Sequence, residues 1–250
     1  MRLPFALALL ASVAGSTVSP ALARPDAVAA ALADKTRPDA DRAQDEGRKP
    51  AAILAFAGFK PGNVVVDWGA GGGYYTRLIA DMVGPKGRVY ALGDPRFFKA
   101  ESWDGLTAAH PNVAVQVALP AAQALAPRSL DAIFAHLEFH DLYLPAEKDG
   151  ANPAQDVPAR LRNWFAALRP GGTVTIVDHV GPAGEPAVVA GTLHRIDPAR
   201  VRADMEAAGF EFVGESAVLH RNDDPHSAIV FDPSVRGKTD RFALKFRRPV

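Results

Sequence analysis

The stretch Val64-Val65-Val66-Asp67-Trp68-Gly69-Ala70-Gly71-Gly72-Gly73-Tyr74-Tyr75-Thr76 decides how the rest of the chain is read. Three β-branched apolar residues follow a Pro61-Gly62 turn. That is the pattern of a strand buried on both faces, as in a parallel sheet. The strand ends on a carboxylate, Asp67. Glycines at 69, 71 and 73 let the chain turn sharply and let a ligand approach bare backbone. From Tyr74 the period becomes helical, with Leu78, Ile79, Met82 and Val83 on one face. Strand, acid, glycine loop and helix together describe a nucleotide-binding unit, with free N–H groups at the helix start facing the ligand.

The spacing discriminates among nucleotides. A dinucleotide fingerprint needs glycine at the first, third and sixth positions, with a pyrophosphate at the helix N-terminus. Counted from Gly69, the sixth position is Tyr74, a ring where close helix–strand packing wants glycine. An acid two residues before the first glycine also repels a pyrophosphate and suits a ligand carrying a cation. The run resembles the first motif of class I S-adenosylmethionine-dependent methyltransferases, in which an acid precedes a G-x-G-x-G loop. The resemblance implies S-adenosyl-L-methionine as cofactor, its amino acid end cradled by Asp67, Gly69, Gly71, Gly73 and Tyr74.

Working outward, residues 88–92 read as a second strand after the Gly84-Pro85-Lys86-Gly87 turn, 112–117 as a third and 129–135 as a fourth. Residues 163–168 end a helix that runs into Arg169-Pro170-Gly171-Gly172, and 173–177 form a fifth strand, similar to the family's L-x-P-G-G turn and following strand. Residues 210–213 read as a sixth strand. Phe242, Leu244 and Phe246 alternate with Ala243, Lys245 and Arg247, which predicts a half-exposed edge strand. Upstream, Pro38 is expected to open a longer helix that kinks or divides into two helices at Pro50, its charges facing solvent, with Arg42 or Arg48 reaching a cofactor mouth as the alternative. The alternation predicts an α/β fold: a doubly wound, mostly parallel sheet with an antiparallel strand near the C-terminus. With the resemblance above, this implies the Rossmann-like class I methyltransferase fold. In that family an acid at the end of the second strand holds the ribose; here Gly93 occupies the slot and Asp94 follows it. The residues after the third strand, Ala118-Leu119-Pro120, lack the acid many family members carry near the adenine.

Ligands of open α/β sheets bind beyond the carboxyl ends of the strands, where strand order reverses. That rule gathers residues 67–73, Gly93-Asp94, residues 136–141 and Asp178-His179. The richest polar cluster is His136-Leu137-Glu138-Phe139-His140-Asp141. By the resemblance, the segment after the fourth strand borders both cofactor and acceptor, so His136 is a candidate cofactor contact. His140, oriented by Asp141, is the candidate catalytic residue, a neutral imidazole taking a proton from the acceptor. The same residues are also compatible with a polar loop whose histidines bond to backbone. A metal held by His136 and Glu138 lacks the helical H-E-x-x-H spacing, and no metal ligand set is predicted. His194 and Arg195 are candidates to line an acceptor pocket, and Asp197 to cap a helix with Pro198 in its first turn. Residues 231–240 read as a polar loop, a candidate lid, with Arg236, Lys238 and Arg241 solvated.

The 250 residues, 48% hydrophobic, suffice for one full α/β domain. Residues 1–23 read as a secretory signal peptide: Arg2, an apolar run from Leu3 to Val13, and the Ala21-Leu22-Ala23 cleavage pattern. The expected division is signal peptide 1–23, N-terminal helical segment 24–60 and methyltransferase-like domain 61–250, in a periplasmic or secreted protein. Residues 1–23 hold one arginine, so 27 basic residues then face 28 acidic ones. That balance gives no basic excess for nucleic acid or an anionic membrane, and no stable membrane association is expected. No cysteine is present to form a disulfide or thiolate metal site. The expected function is methyl transfer from S-adenosyl-L-methionine to a small-molecule acceptor, with no oligomeric state implied. The alternative is an exported protein that keeps the fold for binding or structure without catalysis.

Overall fold

The computed structural model describes residues 25–147 and 153–250. The expected signal peptide lies outside the described residues. The elements are α1 (Pro25–Ala33), α2 (Asp39–Arg42), α3 (Asp45–Arg48), α4 (Pro50–Ala57), β1 (Val64–Trp68), α5 (Tyr74–Val83), β2 (Arg88–Gly93), α6 (Ala100–Ala109), β3 (Val113–Val117), β4 (Leu130–His136), α7 (Val157–Ala167), β5 (Leu168–His179), α8 (Pro186–Leu193), α9 (Pro198–Ala207), β6 (Glu211–Ser216) and β7 (Arg241–Arg247). Seven strands form one sheet in the order β3-β2-β1-β4-β5-β7-β6. β1 pairs in parallel with β2 and β4, and β7 runs antiparallel to both β5 and β6. Strand order reverses between β1 and β4, so the crevice opens at Trp68 and His136.

The apolar run at 64–66 forms a central strand because both faces are covered. Val65 joins Ile53 and Leu54 of α4 and Leu78 and Ile79 of α5 on one side. Val66 and Trp68 join Leu161 and Trp164 of α7 and Met205 of α9 on the other. Each such side chain contributes about 1.5–3 kcal/mol when fully buried. The face predicted for α5 is the buried one: Leu78, Ile79, Met82 and Val83 are all at most 3% exposed. Asp197 caps α9 by accepting from Ala199 N–H at 2.8 Å.

Two expectations are corrected. β7 is not an edge strand but is hydrogen-bonded on both sides, and β6 forms the edge. Its alternation is real, yet both faces are covered: Ala243 is fully buried, and Lys245 Nζ donates to the C-terminal carbonyls of Phe56 and Ala57 in α4. The helix after Pro38 divides at Pro50, where Lys49 takes a left-handed φ of 46° and Pro50 starts a new helix, but it is also broken between Arg42 and Asp45, giving three short helices instead of two.

Candidate functional site

The glycine loop after β1 turns through left-handed φ angles of 68°, 53° and 84° at Gly69, Gly71 and Gly73. Two of these glycines are demanded by packing within the chain. A Cβ on Gly69 would lie 2.2 Å from Glu138 Cγ, and one on Gly73 would lie 2.4 Å from Leu106 Cδ1. Gly71 differs: a Cβ there meets nothing within 4 Å. Gly71 faces cavities on both sides of the loop, so its bareness serves the cleft rather than the core.

The larger of these cavities, about 400 Å³, is lined by Asp67, residues 69–72, Tyr74, Tyr75, His136 and Glu138. Asp67 is 2% exposed and accepts from Thr76 Oγ1 at 2.6 Å. Burial pushes its carboxyl up to about 7, against the downward pull of the Thr76 hydroxyl and the Arg48 charge. His136 lies against Tyr75 at 4.6 Å between ring centroids, and its buried Nε2 has no hydrogen-bond partner among the described residues. Burial, reinforced by the fields of Arg48 and Arg241, holds this imidazole neutral, well below its ordinary range. Tyr74 donates to Asp45 Oδ1 at 2.6 Å, and the Arg48 guanidinium sits 4.4 Å over its ring. Asp41 pairs with Arg77 at 3.0 Å, so α2 and α3 form an outer wall of this cavity. Arg48 lines that wall, whereas Arg42 bonds to the carbonyls of Asp34 and Lys35 and stays out of it.

The smaller cavity, about 70 Å³, lies across the loop and includes Gly93, Asp94, Arg96, Gln123 and Asp141. Asp94 is clasped by Arg96 Nε at 3.0 Å from each oxygen. Burial works against ionisation there, but the Arg96 guanidinium and backbone N–H hold the Asp94 carboxyl below its usual range. Glu138 lines both cavities. Burial and the neighbouring Asp141 charge push its carboxyl well up.

His140 lies in a 3₁₀ turn, His140–Tyr143, after β4. Asp178, fully buried at the end of β5, accepts from His140 N–H at 2.8 Å and lies 2.9 Å from Nδ1. Asp141 Oδ1 lies 3.1 Å from Nε2. Burial alone would lower the basicity of this ring, but the Asp178 and Asp141 carboxylates push it up to about 10. Both carboxylates favour the protonated ring, which works against the neutral proton acceptor expected from the sequence. The charge partner that decides this, Asp178, lies 38 residues away in the chain.

A third cavity, about 790 Å³, shares Gln44, Arg48 and Leu137 with the first and is lined by Arg48, Arg221, Arg236, Lys238 and Arg241, with Glu46 as its one acid. Arg241 is 5% exposed with an unpartnered Nε, correcting its expected solvation. Its burial follows from its place at the start of the interior strand β7. Arg195 is corrected in the other direction. It is fully buried and lines none of these cavities, giving both terminal nitrogens to Asp224 at 2.8 and 3.0 Å. His136 and Glu138 do not assemble with a third metal-type ligand among the described residues.

No family model matches the sequence. Solved structures with the same fold include a SAM-dependent methyltransferase from Aquifex aeolicus, 21% identical, covering 89% of this chain and 97% of that one, with a TM-score of 0.57. A S-adenosylmethionine-dependent methyltransferase from Mesorhizobium loti is 16% identical, over 82% of this chain and 100% of that one, with a TM-score of 0.58. A possible exported protein from Bordetella parapertussis is 16% identical, over 84% and 68%, with a TM-score of 0.50. The likeness is one of fold: a mostly parallel, Rossmann-like methyltransferase sheet with β7 antiparallel.

Proposed function

We propose that this protein transfers a methyl group from S-adenosyl-L-methionine to a small-molecule acceptor. The observation that carries the reading is the cleft at the strand-order reversal, where Asp67 is buried and Gly71 is bare. The chain's groups fit such a ligand on two counts. The bare side of Gly71 is a cradle that a side chain would fill, and His136 Nε2 is a buried polar atom in want of a partner. Asp67, Gly69, Gly71, Gly73, Tyr74 and His136 would hold the amino acid end, and Asp94 would accept from the ribose by exchanging one of its contacts to Arg96, which engages both of its oxygens. Bound S-adenosyl-L-methionine supplies an electrophilic methyl on a sulfonium. The chain's part is to position the partners and exclude water. Asp67 favours the cationic end of the ligand, and the neutral ring of His136 accepts a hydrogen bond within the cleft. The acceptor enters through the basic cavity, so it carries a carboxylate or phosphate that pairs with Arg241 and its neighbours.

Calorimetric titration with S-adenosylhomocysteine, with NAD as control, tests the cofactor reading. Saturable binding of the first alone is expected, and binding of neither, or of NAD, ends it. Because Asp67 titrates near 7 and its ionised form binds the cation, affinity should rise about tenfold between pH 6 and pH 8. In the ligand-free protein the sign reverses. The raised carboxyl binds more protons folded than unfolded, so stability falls as pH climbs from about 4 to 7. Asp67→Asn should flatten both profiles. Tight binding with no turnover of any anionic acceptor would instead favour an exported binding protein.

Export is part of the proposal, supported by the order of charge, apolar run and cleavage pattern in residues 1–23. Intact-mass analysis of protein from its native cell should find a chain starting near Arg24. A soluble cytoplasmic species retaining residues 1–23 would refute this. No helix among the described residues is long and apolar enough to cross a membrane.

A further inference from the structure

His140, Asp141 and His194 bring three ligand-type atoms within reach of one another. His140 Nε2 is 3.1 Å from Asp141 Oδ1 and 3.4 Å from His194 Nδ1, and the third edge of the triangle, His194 Nδ1 to Asp141 Oδ1, is 3.8 Å. Ligands at about 2.0–2.1 Å from a tetrahedral metal lie about 3.3–3.4 Å from one another. The observed triangle thus has the dimensions of one tetrahedral face. We propose that these three side chains bind a divalent transition-metal ion. Two imidazoles with one carboxylate suit zinc and its first-row neighbours rather than magnesium or calcium, which prefer all-oxygen shells.

The surroundings are built for ligation. Asp178 lies 2.9 Å from His140 Nδ1, so Nδ1 keeps its proton and Nε2 is turned toward the triangle. A buried carboxylate behind a ligating histidine fixes ring orientation and raises ligand basicity. Asp178 is itself fixed by the N–H groups of His140 and His179, at 2.8 and 2.7 Å. Asp141 Oδ1 is shielded from solvent and accepts no aligned hydrogen bond, its polar neighbours being the two ring nitrogens of the triangle. His194 takes a left-handed φ of 52° at the end of α8, and its ring packs on Phe231 at 4.9 Å. A non-glycine residue there costs roughly 1–2 kcal/mol, and such strain clusters at functional sites. Metal entry displaces the Nε2 proton of His140 to solvent, and the fourth position is left for water or substrate. The other cluster of metal-type groups among the described residues, Asp34, Asp81 and His110, is weaker, because it is more exposed and both Asp34 carboxylate oxygens already accept from Thr36.

The inference is independent of methyl transfer, and so is its test. Chelator-treated full-length mature protein is titrated with Zn²⁺, and with Mg²⁺ as control, by calorimetry, with bound metal counted by mass spectrometry. Co²⁺ loading is followed by its visible absorption. About one Zn²⁺ per chain is expected, with no Mg²⁺ at equal concentration and a Co²⁺ band of tetrahedral intensity. His140→Ala risks the fold through Asp178, so the informative variants are His194→Ala and Asp141→Asn, each expected to weaken Zn²⁺ at least about tenfold. S-adenosylhomocysteine affinity of His194→Ala should match wild type, since His194 lines neither cofactor cavity, whereas Asp141 lines the smaller one and its variant is read by metal binding alone. No bound Zn²⁺, unchanged affinity in both variants, or loss only in His110→Ala would each overturn the proposal.

Discussion

Gly71→Val is expected to weaken S-adenosylhomocysteine binding at least about tenfold, or 1.4 kcal/mol, while the protein stays folded. A side chain at this position meets open space in the chain itself, because the space it enters is the cleft. That open space is what a ligand approaching the bare backbone would fill. The left-handed φ of 53° adds a cost of roughly 1–2 kcal/mol to stability. For a chain of this size that lowers Tm by about 2–8 °C. Gly69→Ala and Gly73→Ala make the contrast, since their methyl groups collide with Glu138 and Leu106. Those two variants should lose binding and structure together. Calorimetry paired with circular dichroism separates the classes, and a well-folded Gly71→Val with wild-type affinity would remove the ligand from this loop.

The largest loss of stability is expected from Arg195→Met or Asp224→Asn. The two side chains are fully buried and bidentate, and Arg195 also donates to the carbonyls of Val180 and Ala228. Asp224 in turn accepts from the backbone N–H groups of His226 and Asp240. Removing one partner strands a buried charge or unmade hydrogen bonds, at a cost of about 3–5 kcal/mol. Tm should fall by about 6–20 °C in thermal melts. The double replacement should cost less than the sum of the single ones, since neither charge is then left unpaired. Single variants within about 1 kcal/mol of wild type would mean that the pair does not hold the 217–240 segment to the end of β5.

Residues whose environment is set by neighbours in the chain were legible in sequence. Val64 to Trp68, the glycine loop and the buried face of α5 declare themselves by local period and by the absence of side chains. Asp197 declares its cap by the proline that follows it. What was not legible depends on which distant segment arrives beside a residue. β7 has the alternation of an edge strand, and only the pairing of β6 outside it makes it interior. Arg195 and Arg241 look alike in sequence as loop arginines. One meets Asp224 across 29 residues, whereas the other is carried by β7 against a basic cavity whose one acid is Glu46. The raised basicity of His140 follows from Asp178, and the triangle with His194 closes across 54 residues. Long-range pairing of polar groups leaves no periodic trace, so the site is harder to read than the sheet.

The wall made by α2 and α3 stands apart from the rest of the cleft in its mechanics. Each helix is four residues long, too short to hold itself in water. Its order is borrowed from Arg37–Asp45, Asp41–Arg77 and the Tyr74 hydroxyl on Asp45. The sheet, by contrast, owes its order to buried apolar side chains. The molecule is therefore modular at the mouth of its cleft. Substitutions in the wall can retune access without endangering folding, and the identity of what enters is free to diverge while the strands beneath it stay constrained.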